Sequence, residues 1–279
     1  MSDRNLKNFK MEKKGTALIV FLNNPPVNTL NESFFFELQQ IIEQVNSDVE
    51  IISVIITTAL PKVFTVGADV KELLKKYGST RKMNNAIENL NLGHKTFDMI
   101  EKSPKPFIIA YKGLSYGGGI ELGCACDIRI ASEDTVFSMP ETRIAFIPGY
   151  GGTQRLPRLV GCGAAKRIIF TGEPIKAEEA LRIGLIDEIT PNDKLLERSI
   201  EIAECIAKGS PRSLAFIKKS VNEGIDLHIN QALEREKMYF MENILTLEWS
   251  EGLSAFIDKK DPKFKRIGKV KENVEIKLV

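Results

Sequence analysis

Histidine is nearly missing from this chain, with only His94 and His228 among 279 residues. Two histidines leave little room for a His-based metal centre or an acyl-transfer triad. Cysteine is scarce too. Cys124, Cys126, Cys162 and Cys205 make no disulfide framework, so reduced thiols are expected. Cys124-x-Cys126 resembles half of a metal site, yet no second Cys or His pair lies at ligand spacing, and two small core side chains are the simpler reading. A charge excess of either sign is also absent. The 39 Lys+Arg oppose 37 Asp+Glu for a net charge of +2, which offers no global field for gripping nucleic acid. Apolar runs such as Thr16–Leu22 and Val54–Ile56 fall far short of the ~20 residues that span a bilayer. The polar start, Met1-Ser2-Asp3-Arg4-Asn5-Leu6-Lys7, lacks the apolar segment of a secretory signal. A cytoplasmic protein with no nucleic-acid or membrane partner is therefore expected.

What is present is a globular composition, 43% hydrophobic and 27% charged, on a chain long enough to bury a core without staples. Short apolar runs alternate with helical patterns. Thr16–Leu22 reads as a strand closed by the Asn23-Asn24-Pro25-Pro26 turn, and Asn31 offers an N-cap to a helix with Phe34, Phe35, Leu38, Ile41, Ile42 and Val45 on one face. Ile52–Thr58 is a second strand. Val63–Asp69 is a loop or short strand leading into a helix at Val70. Beyond a polar stretch around Gly78–Asn85, a helix runs to Lys102, and Pro104 and Pro106 introduce a strand at Phe107–Tyr111. Asp127–Ala131 and Thr135–Ser138 read as strands. The last long helices are predicted at Asp193–Lys208, Pro211–Asn222 and Ile229–Leu245. The pattern is an α/β core to about residue 200 followed by a helical segment, with no internal repeat and no linker of biased composition.

Within Lys112-Gly-Leu-Ser-Tyr-Gly-Gly-Gly-Ile-Glu-Leu-Gly123 lies Gly113-x-Ser115-x-Gly117, the spacing of a hydrolase nucleophile elbow. That chemistry needs a histidine after the serine, and only His228 follows, beside an amphipathic helix. Gly117-Gly118-Gly119 offer better chemistry. Backbone N–H groups unobstructed by Cβ atoms at a strand-to-helix turn can receive a developing negative charge. A nucleotide loop fails on spacing, since neither Gly-x-Gly-x-x-Gly nor Gly-Lys-Ser/Thr is found there.

These glycines are one of a set of motifs in order: Asn24-Pro25-Pro26-Val27-Asn28, Phe64-Thr-Val-Gly67-Ala68-Asp69, Gly117-Gly118-Gly119-Ile120-Glu121-Leu122, Cys126-Asp127-Ile128, Met139-Pro140-Glu141, Ile147-Pro-Gly-Tyr150-Gly-Gly-Thr-Gln-Arg155-Leu156 and Gly172-Glu-Pro-Ile-Lys-Ala-Glu-Glu-Ala180, then Gly184-Leu-Ile186 and Glu251-Gly-Leu-Ser-Ala-Phe256. Together they resemble the enoyl-CoA hydratase/isomerase (crotonase) family over residues 16 to 264. The resemblance implies a crotonase-type β-β-α spiral core over 1–200 and a C-terminal helical region over 201–279 that serves oligomerisation and CoA contact, assembled as a trimer or dimer of trimers. It implies an acyl-CoA thioester as substrate, with no metal and no other cofactor, CoA entering as part of the substrate.

By position in the motifs, the resemblance puts the oxyanion-stabilising N–H groups on Ala68 and Gly118. It makes Glu121 and Glu141, 20 residues apart, the acid/base pair, with Glu121 orienting the water and Glu141 delivering a proton to the α-carbon. Retention of both glutamates points to an enoyl-CoA hydratase, with enoyl-CoA isomerase or another acyl-CoA lyase or hydrolase as the alternative. Two carboxylates facing one small apolar site are expected to have coupled, raised pKa values. Gly67, Gly117, Asp69 and Lys71 are further candidates for binding the substrate and its CoA, Asp69 also being placed to cap a helix. The Lys-rich segment around Lys259 reads from its own residues as a solvated face, whereas the resemblance implies that Phe256 and Lys259 reach the CoA moiety, of the same or a neighbouring subunit, with Lys259 near a phosphate. Lys75–Asn91 is more polar than the usual wall of the acyl pocket, and Gly268–Val279 runs past the last motif.

Overall fold

The computed structural model describes residues 6–77 and 83–264. The predicted polar stretch from Gly78 lies partly outside these residues, and the tail Gly268–Val279 wholly outside them. Two strands, β1 (Phe9–Lys14) and β2 (Ala17–Leu22), open the chain as an antiparallel pair. Next come α1 (Glu32–Ser47), β3 (Ser53–Thr58), β4 (Val63–Thr65), α2 (Val70–Tyr77) and α3 (Met83–Glu101). A second round is β5 (Phe107–Tyr111), β6 (Leu114–Tyr116) and α4 (Gly118–Cys124). A third is β7 (Ile128–Ser132), β8 (Val136–Ser138), a 3-10 helix at Pro140–Ile144, α5 (Gly152–Val160) and α6 (Cys162–Thr171). The chain then runs through β9 (Ile175–Lys176), α7 (Ala177–Arg182) and β10 (Glu188–Thr190), and ends in α8 (Leu195–Ile206), α9 (Pro211–Gly224), α10 (Ile229–Ile244) and α11 (Leu247–Ile257).

In each of three rounds a strand of one sheet is followed within a few residues by a strand of a second sheet and then by helix. The larger sheet has the order β1-β2-β3-β5-β7-β10 and the smaller β4-β6-β8-β9. Apart from β1-β2 and β8-β9, the paired strands are parallel. This is the β-β-α spiral expected from the motifs.

Parallel strands are covered on both faces, so their sequences are continuously apolar and the alternation shows only in what each residue touches. Leu18, Val20, Val54, Ile56, Phe107 and Ile109 enter the main core with Phe34, Phe35 and Leu38 of α1. Their neighbours Ile19, Ile55, Ile108 and Ala110 face the other way, onto Leu195 and Ala203 of α8. Helix α8 therefore lies across the sheet, and the expected division at residue 200 falls inside it. Asn31 caps α1 as predicted, its Oδ1 accepting the Phe34 N–H at 2.9 Å. The sequence reading passed over β1, whose lysines and glutamate mask the period of a charged edge strand, and α11.

Candidate active site

The loop that carries Gly67 and Ala68 is stapled to the core by a buried asparagine. Asn28 donates to Thr58 Oγ1 (2.9 Å) and to the Phe64 carbonyl (2.8 Å), and accepts the Asn24 N–H (2.7 Å). A buried side-chain amide whose polar atoms are bonded in this way fixes backbone on both sides of it. Residues 27–30 then run alongside 66–68: Val66 N–H bonds the Val27 carbonyl, and Leu30 N–H bonds the Gly67 carbonyl at 2.9 Å. Among the described residues, the Ala68 N–H between these bonds donates to no protein acceptor.

The second strand-to-helix turn converges on the same place. A Cβ on Gly67 would lie 3.3 Å from Gly118 N, so the Ala68 loop and the start of α4 are in direct contact. Gly118 is the first residue of α4, and its N–H has no intrahelical acceptor. Gly117 before it takes φ +49°, and a Cβ there would sit 2.6 Å from Glu141 Oε1. Only glycine permits both that backbone and that approach of the carboxylate.

Gly67, Ala68, Gly117, Gly118, Glu121 and Glu141 all line one cavity of about 210 Å³, whose walls are otherwise mostly apolar, with Val66, Val70, Leu73, Leu90, Ile144, Phe146 and Ile147 around it. Glu121 is 1% exposed. Its Oε1 accepts two backbone bonds, from Tyr150 N–H at 2.8 Å and Gly152 N–H at 2.7 Å, which leaves Oε2 without a protein donor among the described residues. Burial pushes the Glu121 carboxyl up to about 7, the charge of Glu141 adding to the rise while the two amides and Arg155 oppose it. Glu141 lies in the 3-10 helix just after Pro140. Burial raises its pKa as well, and its Oε2 is buried without a hydrogen-bond partner. The expected pair of raised carboxylates therefore faces one small cavity beside two unpaired amides.

The other predicted residues lie elsewhere. Asp69 turns its carboxylate to the start of α2, where Oδ1 accepts Lys71 N–H (3.0 Å) and Glu72 N–H (3.1 Å). Its helix-capping role thus accounts for it, and Lys71 is exposed on α2. Phe256, 82% exposed, lies in the last turn of α11 and Lys259 just beyond its end; neither lines the cavity. Ser115 is fully buried on β6 with no hydrogen-bond partner for Oγ, while His228 is exposed at the start of α10, so the two do not meet. Cys126 is a core residue whose thiol donates to the Leu122 carbonyl, and burial pushes the Cys124 thiol up to about 12. The reading from sequence missed Tyr150 and Gly152 as donors to Glu121. Their signal in the sequence is the Gly149-Tyr-Gly-Gly152 turn, whose glycines permit the close backbone approach to a carboxylate.

A β-β-α spiral holding one buried and one half-buried acid against unpaired backbone amides defines an acid/base enzyme that can meet negative charge developing on its substrate. The chain belongs to the enoyl-CoA hydratase/isomerase family, matched over residues 12–267. It is 39% identical to a short-chain-enoyl-CoA hydratase of Clostridium acetobutylicum over 91% of this chain and 96% of the relative. It is 35% identical to a crotonyl-CoA hydratase of Syntrophomonas wolfei over 92% and 98%. The crystal structure of an enoyl-CoA hydratase from Bacillus anthracis superposes with a TM-score of 0.87 at 37% identity, covering 93% of this chain and all of that one.

Proposed function

We propose that the chain is an enoyl-CoA hydratase that adds water across the 2,3 double bond of a 2-enoyl-CoA to give the 3-hydroxyacyl-CoA. The observation that carries this reading is the placement of Glu121 and Glu141 on one small cavity beside the Ala68 and Gly118 amides. The thioester carbonyl accepts those two N–H groups, which stabilise the enolate oxygen formed when the β-carbon is attacked. Glu121, steadied through Oε1, takes a proton from the attacking water as its oxygen bonds to the β-carbon, and Glu141 delivers a proton to the α-carbon. One proton is taken up and one released, so the pair ends with the same number it began with. Burial raises the pKa of both carboxyls, which favours keeping a proton on the pair; the exchange needs that proton on Glu141, with Glu121 ionised.

No other cofactor enters the reaction, since the thioester supplies the electron sink. Among the described residues, no helix is long and apolar enough to cross a membrane. Assembly as a trimer or dimer of trimers, in the cytoplasm, would let Phe256 and Lys259 of one subunit reach the CoA bound by another. Exposed apolar side chains on α9 to α11, including Ile217, Phe240 and Leu247, support such an assembly.

The test is the loss of enoyl-thioester ultraviolet absorbance with crotonyl-CoA. The wild type and Ser115→Ala are expected to hydrate, whereas Glu121→Gln and Glu141→Gln each lose about a hundredfold or more in kcat. No decay with the wild type on short or medium chains would refute the reading.

A further inference from the structure

Glu121 is held by a turn, and the turn is held by Arg155. This arginine lies in the first turn of α5, and its Nη1 donates to the Tyr150 carbonyl at 3.2 Å. Nε and Nη2 form a two-pronged pair with Glu101 (3.0 and 2.7 Å), and Nη2 also reaches Asp98 at 2.6 Å. Both acids belong to α3. The same helix takes the Tyr150 phenol through Asn89 Oδ1 at 2.9 Å, and it seats the ring on Gly93, where a Cβ would come within 2.2 Å of Tyr150 Cδ1. Phe35 and Phe97 meet the ring edge-on. Tyr150 is thus gripped by its hydroxyl, ring and carbonyl, while its N–H is one of the two donors to Glu121. Between the two donors Gly151 takes φ +104°, and a Cβ there would meet Arg155 Nη1 at 2.2 Å. The proposed hydration chemistry makes no direct use of Arg155.

We propose that Arg155 is a positioning residue, whose ion pairs to α3 clamp the Tyr150–Gly152 turn so that both amides stay aimed at Glu121 Oε1. The clamp matters because those bonds select one orientation of the carboxylate, and small misplacements of a reacting group are costly in rate. It also has an electrostatic side. The charged or titratable groups facing Glu121 are Glu141 from the 3-10 helix, Arg155 from α5 and Cys124 from its own helix, with Glu101 and Asp98 behind Arg155 on α3. Arg155 and the two amides favour the ionised form, and removing the guanidinium weakens all three.

The inference rests on Glu121 acting in hydration, so its test includes a readout that needs no turnover. Arg155→Met and Arg155→Lys are compared with the wild type by kcat and KM against pH on crotonyl-CoA, and by 13C NMR titration of the Glu121 carboxyl, assigned through Glu121→Gln. In Arg155→Met, kcat at pH 7 is expected to fall about tenfold or more with KM within about twofold. The acid limb of the profile and the carboxyl titration both move up by about half a unit or more, and Arg155→Lys shows part of each change. If both titrations coincide with the wild type in both variants, and activity falls only with the folded fraction, the proposal is overturned. Should the wild type not turn over crotonyl-CoA, the hydratase reading fails separately, and the carboxyl titration decides: an upward shift supports the clamp, coincidence overturns it. Should Arg155→Met not fold, the same readouts on Arg155→Lys decide.

Discussion

Replacing Glu121 by glutamine should abolish activity and yet stabilise the protein, increasingly so as the pH rises. The carboxyl is pushed by burial from an ordinary 4.5 to about 7. A group whose folded pKa is raised in this way contributes stability that is fully present below about 4.5 and is lost as pH rises through about 7. The shift of roughly 2.5 units corresponds to about 3 kcal/mol once both states are ionised. Part of that loss has already occurred at pH 5.5, so between pH 5.5 and 8.5 the wild type should lose about 2 kcal/mol relative to Glu121→Gln. Glutamine keeps an Oε1 that can accept the Tyr150 and Gly152 amides, so the comparison isolates the charge. The assay is the unfolding midpoint of both proteins at matched concentration across that pH range, where the variant's advantage should widen by about 4 °C. An advantage that stays constant or shrinks with pH would refute the argument that an ionisable carboxyl is held in this cavity at a cost to stability.

Other consequences follow from the same geometry. A Cβ on Gly118 would come 3.5 Å from Tyr150 Cδ2, so the ring stands close behind the thioester site. Measured over a series of enoyl-CoA lengths, kcat/KM should drop about tenfold or more from four carbons to ten, and Tyr150→Ala should narrow the gap. Asn28→Ala should cost about 2–3 kcal/mol in denaturant unfolding by leaving buried partners unsatisfied, and it should reduce kcat by loosening the Ala68 loop. Lys218 Nζ is buried against Asp127 Oδ2 (2.8 Å) and the carbonyls of Ile100 (2.8 Å) and Lys105 (3.0 Å), tying α9 to the core. Lys218→Met should therefore cost about 3 kcal/mol or more in the same measurement, with KM for crotonyl-CoA unchanged.

The sequence revealed those parts of the molecule whose physics is local. Asn31 and the apolar face behind it announced α1, and the Val54–Ile56 and Phe107–Tyr111 runs announced strands, because capping and periodicity act within a few residues. The spiral itself was legible only through the ordered motifs, since pairing β3 with β5, or β4 with β6, brings together segments some 50 residues apart. The glutamates were visible for the same reason. Their environment was not: the donors to Glu121 come from residues 150 and 152, and the arginine behind them is anchored on a helix more than 50 residues earlier. The glycine-rich stretch was legible as chemistry, but Ser115 within it proved to be core packing, because strand β6 turns that side chain inward.

Isotope labelling distinguishes water added across an enoyl thioester by two carboxylates from every other fate of the substrate. With crotonyl-CoA in a mixture of deuterium oxide and 18O-labelled water, the expected product is a 3-hydroxybutyryl-CoA that carries solvent oxygen at C3 and one solvent hydrogen isotope at C2. Formation of that product should be lost in Glu121→Gln and Glu141→Gln. Solvent hydrogen entering at C2 with a proton lost from C4, the double bond moved to C3–C4 and no oxygen added at C3, or release of free CoA with solvent oxygen in the acid, would contradict hydration by the two carboxylates.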